Sequence, residues 1–177
     1  MTMMNHKMKN TLILVALLAP LSGMAAQTCN PAIPAVAPDS RYVIRGAEVI
    51  DTRTLLVWQR CSLGQSGADC SGGSATTYTW QEALQAAEDA RSSTGVPWRL
   101  PNIKELETLV ESKCYAPAIN ETVFPNTRIY RYWSASPMLF STREDSAGVV
   151  RFSDGYAGDG SKKLGRFVRL VRDGQAQ

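Results

Sequence analysis

The sequence predicts an α+β domain, in which two helices pack on small antiparallel sheets that disulfides hold together. Three observations support this prediction. The chain starts with the three parts of a secretory signal peptide, four cysteines follow it, and two strong helix start signals lie between short β-branched runs. A length of 177 residues corresponds to one domain with a processed end.

Residues 1–26 are predicted to be the signal peptide. A basic start leads into the apolar run TLILVALLAPL, and the small residues SGMAAQ follow, so cleavage is expected after Ala25 or Ala26. The apolar run at residues 11–21 is too short for a permanent membrane span, and no other stretch is apolar enough to be one. An uncleaved N-terminal anchor is the alternative.

Signal removal changes the charge and the chemistry of the chain. The only histidine, His6, is lost together with Lys7 and Lys9, which leaves 17 Lys+Arg (19 − 2) against 16 Asp+Glu. A nearly neutral protein lacks the general positive field of nucleic-acid-binding proteins. No nucleic-acid partner is therefore expected.

Four cysteines remain, and an even number in an exported chain indicates two disulfides. Three pairings are possible. Cys61 and Cys70 flank SLGQSGAD, whose two glycines make a short loop that closes easily, so we predict Cys61–Cys70 and hence Cys29–Cys114. A zinc site is the alternative, but the cysteines lack CxxC spacing and histidine partners, so no metal and no cofactor are expected.

The first part of the chain is predicted to be an arm followed by strands. Residues 27–47 form a proline-rich arm stapled by Cys29, and the domain itself is expected to span residues 48–173, with a tail at 174–177. YVI is predicted as a strand, and EVI and LLVWQ as a hairpin from Glu48 to Gln59. The Gly/Ser/Thr-rich stretch that follows is predicted to be a long loop.

The first helix is predicted to begin after Thr79, whose hydroxyl and the Glu82 carboxylate form a capping box. Gly95 and Pro97 end it. Its apolar side chains recur at helical spacing and predict a buried face, composed of Trp80, Ala83, Leu84, Ala87 and Ala90.

The stretch WRLPNIKELETLV predicts a second capped helix, with Asn102 as N-cap and Glu105 closing the box. Trp98 and Leu100 precede it in extended geometry because a residue before proline avoids the helical region. The buried stripe is predicted to be Ile103, Leu106, Leu109 and Val110. The solvent-facing side chains are predicted to be Lys104, Glu107, Glu111 and Lys113.

The last third is predicted to contain three strands. They correspond to RIYRYWSAS, GVVRFSDG and GRFVRLVRDG, while DGYAGDGSKK is predicted to be a glycine-rich turn. Calcium binding by the aspartates of residues 154–160 is left open, because the spacing does not match an EF-hand and a plain hairpin explains the glycines.

Most catalytic chemistry is disfavoured. Export removes the only histidine and oxidises the cysteines, so neither a Ser-His-Asp nor a Cys-His arrangement is available. A carboxylate pair for glycoside hydrolysis is the alternative. Each candidate carboxylate, however, can be explained as a helix cap, as a residue on the solvent-facing side of a helix or as a turn residue. The candidates are Glu105, Glu107, Glu111, Asp154 and Asp159. No catalytic residue is therefore predicted.

Basic side chains near tyrosines predict a face for an anionic ligand, since guanidinium groups match sulfate, carboxylate and phosphate. A solvated rim without a ligand is the alternative. The predicted contact residues are Arg128, Arg131, Arg143, Lys162, Lys163 and Arg166, interleaved with Tyr130, Tyr132 and Tyr156.

Several motifs together resemble the Lcl C-terminal domain family, named after the collagen-like adhesin of Legionella. They are YTWQEALQAAEDA, WRLPNIKELETLV, PAINETVFPNT, YWSASP, VVRFSDG and VRLVR. The resemblance implies a non-catalytic adhesion module that binds sulfated glycosaminoglycans and can be oligomeric. The WRLP signature is also similar to that of formylglycine-generating enzyme relatives, which implies a C-type-lectin-like fold without the activity.

The resulting hypothesis is an exported binding or adhesion module of a bacterial envelope, in the periplasm or at the cell surface. Its expected partner is a surface glycan or another envelope protein. Two alternatives are kept: an accessory subunit of a pilus or secretion assembly, and a degenerate envelope enzyme.

Overall fold

The computed structural model describes residues 26–138 and 145–174. Residues 1–25 of the predicted signal peptide, the end of the predicted tail and the predicted contact residue Arg143 lie outside the described residues. Within the described ranges, no helix is long and apolar enough to cross a membrane.

Over the described residues the fold is α+β, with two α-helices, several small antiparallel sheets and two disulfides, as the sequence predicts. The helices are α1 (Trp80–Thr94) and α2 (Ile103–Glu107), and a 3-10 turn covers Asp39–Arg41. The strands are β1 (Thr28–Cys29), β2 (Tyr42–Arg45), β3 (Glu48–Asp51), β4 (Leu56–Gln59), β5 (Gln65–Ser66), β6 (Gly72–Gly73), β7 (Cys114–Tyr115), β8 (Arg131–Pro137), β9 (Ser146–Arg151), β10 (Tyr156–Ser161) and β11 (Val171–Asp173).

Two antiparallel sheets form the body of the domain. One has the order β11-β4-β3-β2 and contains the predicted hairpin, and the other has the order β10-β9-β8. The pairs β1–β7 and β5–β6 are short ribbons. A bridge between Arg99 and Val171 ties the WRLP stretch to the end of the chain.

Alternation along the central strands divides the core into two clusters. Tyr132 packs with Leu106, Phe124 and Phe152 on one side, while its neighbour Trp133 packs with α1 on the other. Both aromatic side chains are fully buried. Successive side chains of a strand point to opposite faces, so β8 is covered on both faces and occupies the centre of the domain.

Both helix starts are as predicted. Thr79 and Glu82 form the capping box of α1, and Gly95 ends this helix in the left-handed conformation (φ 69°). Asn102 and Glu105 form the box of α2. The predicted buried face of α1 is partly wrong, because Leu84 is 37% exposed while the smaller Ala83 and Ala87 are buried.

The second helix is shorter than its apolar periodicity indicates, and this changes the position of Glu111. Because α2 ends at Glu107, Glu111 does not lie on a wet helix face, and it is only 3% exposed. Its carboxylate accepts hydrogen bonds from the backbone N–H groups of Val36 (3.2 Å) and Ala37 (2.8 Å). Glu111 therefore fastens the N-terminal arm to the domain.

The predicted disulfides are both present. Cys29 is bonded to Cys114 over a separation of 85 residues, and Cys61 to Cys70 over 9 residues. The arm is also held by the side-chain amide of Gln27, which donates to the carbonyl oxygens of residues 117 and 119 (2.6 Å each). Disulfides persist in oxidising compartments, which agrees with an extracellular or envelope location.

The glycine-rich turn predicted around residues 154–160 is mostly wrong. Tyr156–Ser161 is strand β10, and turns are confined to the residues immediately before and after it. A Cβ atom at Gly158 would come within 2.5 Å of the Tyr156 ring, and one at Gly160 within 3.3 Å of Val149. Glycine is needed here for close packing on the strand. The predicted last strand is also shorter and covers Val171–Asp173.

A buried ion pair joins the arm to the hairpin. Arg41 and Asp51 are 8% and 0% exposed, and Arg41 Nε donates to Asp51 Oδ1 at 2.8 Å. Burial alone would raise the pKa of Asp51, but hydrogen bonds from Arg41, the Thr54 hydroxyl and the Arg53 N–H outweigh it, so the pKa is lowered.

We expect this pair to make stability depend on acid pH. The pKa of Asp51 is lower in the folded than in the unfolded protein, so its contribution is complete above about pH 4 and is lost as pH falls through the folded pKa. In urea titrations from pH 6 to pH 2, the free energy of unfolding of Asp51→Asn should depend less on pH than that of the wild type. Identical slopes for the two proteins would contradict this.

Candidate functional site

Two of the six predicted contact residues, Arg131 and Arg166, lie together at one end of the three-stranded sheet, and Lys162 and Lys163 lie at its other end. Arg131 starts β8, and Lys162, Lys163 and Arg166 follow β10. Arg128 lies before β8, where its backbone N–H donates to the Tyr132 hydroxyl at 3.0 Å. No described contact of the Arg128 side chain joins it to the other four residues.

The chain after β10 is fixed on both sides, and this positions its basic side chains. The carbonyl of Lys162 accepts from the N–H of Trp80 at 3.0 Å, and Arg166 exchanges two backbone hydrogen bonds of 2.8 Å with Tyr78. The N–H of Phe167 donates to the carbonyl of Arg131 at 3.1 Å. Residues 162–167 therefore lie between the start of α1 and the edge of β8 that faces away from β9.

A row of side chains crosses the end of the sheet. Arg131 is directly paired with Arg151, and Arg151 with Tyr156, so the three side chains share one face. Arg166 continues this row beyond β8. We call Arg131, Arg151, Arg166 and Tyr156 the arginine row. Adjacent strands are about 4.8 Å apart, so the row presents charges at regular spacing.

Arg166 lies over a buried indole. Its Cζ atom is 6.0 Å from the centroid of the Trp133 ring, at the outer limit for a cation–π contact. Burial lowers the pKa of Arg166, and the positive charge of Arg131 lowers it further. Two guanidinium groups are thus held close enough to repel each other, and an anion between them would relieve that repulsion.

Arg151 and Tyr156 form the other end of the row. Arg151 donates to both carboxylate oxygens of Asp154, and its Cζ lies 5.3 Å from the Tyr156 ring centroid. The hydrogen bonds raise the pKa of Arg151 and lower that of Asp154. Tyr156 is 52% exposed and lies across Gly158. An exposed aromatic ring packed flat on a strand is suited to contact with the apolar face of a sugar ring.

The charges of the row are unequally compensated. Arg151 has Asp154 as its partner, whereas no described carboxylate lies within 4.0 Å of the Arg131 or Arg166 guanidinium. The nearby Tyr130 is 67% exposed and makes an edge contact with Phe167, which packs with Tyr132 on the other face of the sheet. The middle of the row is therefore an uncompensated positive region, with the Tyr156 ring at one end of the row.

The two lysines belong to a separate depression, which we call the Trp80 pocket. It has a volume of about 470 Å³, and the Lys162 ammonium lies 4.6 Å from the Trp80 ring centroid. Lys163 Nζ is 3.7 Å from an Asp145 carboxylate oxygen. The lining residues are Thr79, Trp80, Gln81, Leu84, Asp145, Lys162 and Lys163.

Sequence reasoning missed Arg151 and Trp80 as members of this face. The sequence predicts Arg151 only as part of a strand, whereas its pairing with Arg131 places it in the centre of the row. Trp80 was assigned to the buried face of α1. The stretch VVRF contains a signal for the position of Arg151. Because Phe152 is buried on one face of the strand, the side chain of its neighbour Arg151 points to the other face.

The carboxylates considered for catalysis have structural partners. Glu105 binds the N–H of Asn102 and pairs with Arg99, Glu111 holds the arm, and Asp154 is paired with Arg151. In the part of the chain that the structure covers, no group of three or more His, Cys, Asp or Glu side chains could hold a metal ion.

Comparison with known proteins identifies the family of the domain. The family model described as the Lcl C-terminal domain matches residues 47–172, which include both main sheets except β2 and part of β11. No curated protein matches the chain.

Proposed function

The chain belongs to the Lcl C-terminal domain family, and we propose that it is a non-catalytic binding module of the cell envelope that recognises an anionic surface glycan. Family membership is consistent with an adhesin-type module. The two disulfides support a position outside the cytoplasm. A C-type-lectin-like arrangement of the two sheets and helices is part of the same proposal.

The single observation that carries this proposal is the arginine row. Guanidinium groups donate two parallel hydrogen bonds to sulfate or carboxylate oxygens, and the register Arg131–Arg151–Tyr156 aligns them on one face. Neither Arg131 nor Arg166 is compensated by a carboxylate among the described residues. A chain of charged sugars offers anions at a regular spacing and rings that can lie against Tyr156.

We expect reversal of the central charge to weaken binding of a sulfated glycan. The probe is a heparin-derived oligosaccharide, titrated calorimetrically into the wild type and Arg131→Glu. Loss of one charge-assisted contact corresponds to about tenfold weaker binding or more. Wild-type affinity should also fall between 50 mM and 300 mM salt, because exposed charges are screened over about 10 Å at 0.1 M.

Arg45→Glu is the matched control. Arg45 is an exposed arginine at the end of β2, in the other sheet, so its reversal changes the net charge equally. It should leave binding close to that of the wild type. Equal losses in the two variants would reduce the effect to net charge and overturn the role of the row. Absence of any oligosaccharide binding by the wild type would overturn the proposed function.

A further inference from the structure

We propose that the Trp80 pocket binds one carboxylate-bearing sugar ring at the end of a glycan chain, while the arginine row binds the charged units beyond it. This inference rests on the proposed function and assigns the pocket a ligand of its own. The pocket volume of about 470 Å³ falls within the range of small-molecule sites.

Lys162 supplies a cation that is already fixed in position. Its carbonyl accepts from the Trp80 N–H at 3.0 Å, its N–H donates to the Asp145 carbonyl at 2.9 Å, and its ammonium lies on the Trp80 ring. A side chain that is ordered before binding loses little further entropy when the ligand arrives. Lys162 is therefore suited to bind a ligand carboxylate.

Lys163 and Asp145 supply an adjustable donor and an acceptor. Their separation of 3.7 Å is long for an ion pair, and their side chains are 85% and 51% exposed. Such exposed pairs contribute little, so both groups can turn towards a ligand. Asp145 can accept hydrogen bonds from sugar hydroxyls, which a lysine cannot do.

The composition of the pocket favours a singly charged ring over a densely sulfated one. Two ammonium groups and one carboxylate leave a single net positive charge, and Asp145 would repel a second anionic group. Trp80 and Leu84 provide the apolar wall against which the body of a ring can pack. A uronic acid has this combination of one carboxylate, several hydroxyls and an apolar ring face.

The pocket and the row are joined by the same segment. Lys162 and Lys163 line the pocket, and Arg166, which belongs to the row, follows three residues later. Residues 162–167 form backbone hydrogen bonds to Trp80, Tyr78 and Arg131. These bonds fix the position of the Trp80 pocket relative to the arginine row. A glycan chain that enters the pocket with its end can therefore follow this segment to Arg166, at the edge of the row.

The test compares glucuronic acid with glucose, which has the same ring without the carboxylate, by saturation-transfer NMR titration of the purified protein. The wild type should bind glucuronic acid at least tenfold more tightly than glucose. Lys162→Met retains the apolar stem on the indole and should lose about tenfold in affinity for glucuronic acid. Lys163→Met, at an exposed position, should weaken binding to a smaller extent, and Lys104→Met on α2 should not change it.

The variants separate this inference from the proposed function. Lys162→Met should still bind the heparin-derived oligosaccharide, and Arg131→Glu should still bind glucuronic acid. Equal affinity of the wild type for glucose and glucuronic acid, or unchanged binding by both lysine variants, would overturn the pocket assignment. Binding of glucuronic acid without binding of the oligosaccharide would retain the pocket and reject the role of the row.

Discussion

Replacement of Cys29 and Cys114 together by serine is expected to lower the free energy of unfolding by about 4.5 kcal/mol. This disulfide spans 85 residues, so it removes much of the conformational entropy of the unfolded chain. The double replacement leaves no unpaired thiol behind. Urea denaturation at pH 7 under non-reducing conditions measures the change as a lower midpoint.

The second disulfide provides the matched control. Cys61 and Cys70 are 9 residues apart, so the same entropy argument predicts a loss of only about 2.5 kcal/mol for their double serine variant. Equal losses would contradict the loop-entropy explanation. A smaller loss for the long disulfide than for the short one would show that Glu111 and Gln27 hold the arm without it.

Replacement of Arg169 by alanine is expected to lower the free energy of unfolding by about 4 kcal/mol. Arg169 is 0% exposed, and burial lowers its pKa to about 10, so it is still charged at neutral pH. Its guanidinium donates to the carbonyl oxygens of Gln59 (3.0 Å) and Arg60 and to the Thr127 hydroxyl (2.8 Å). Alanine would leave the buried Thr127 hydroxyl and the two partly buried carbonyl oxygens without this donor and open a cavity.

Two further variants identify the cause of the stability loss in Arg169→Ala. Arg169→Met fills most of the cavity but donates no hydrogen bond, so its loss should be smaller than that of alanine and still exceed about 1 kcal/mol. Arg53→Ala, at an exposed position in the β3–β4 turn, should change stability by less than about 0.5 kcal/mol. Wild-type stability of Arg169→Met in thermal and urea unfolding would show that the acceptors do not need the guanidinium.

Features specified by short stretches of sequence were predicted correctly. The capping boxes at Thr79 and Asn102 each depend on a side chain and a backbone group three residues apart. The Cys61–Cys70 bond closes a short loop, and once it is assigned the other pair follows. Such interactions depend on spacing along the chain, which the sequence displays directly.

Features that depend on distant partners were missed. Glu111 lies on a helical pattern, but its carboxylate is bound by backbone groups 74 and 75 residues earlier in the chain. Gly158 lies in a glycine-rich stretch, which is typical of a turn. In the structure it belongs to a strand, where the Tyr156 ring packs so closely that a Cβ atom would not fit. The position of Arg151 in the row follows from strand register, which single-sequence patterns do not specify.

The order of the four-stranded sheet has a consequence for how the chain matures. Strand β4 lies between β3, its immediate predecessor, and β11, which is more than one hundred residues later. A nascent chain that has not yet reached Val171 leaves one edge of β4 unpaired and exposes apolar side chains such as Trp58, which is fully buried in the finished domain. The four-stranded sheet, and with it the burial of Trp58, is therefore complete only after nearly all of the domain has been synthesised.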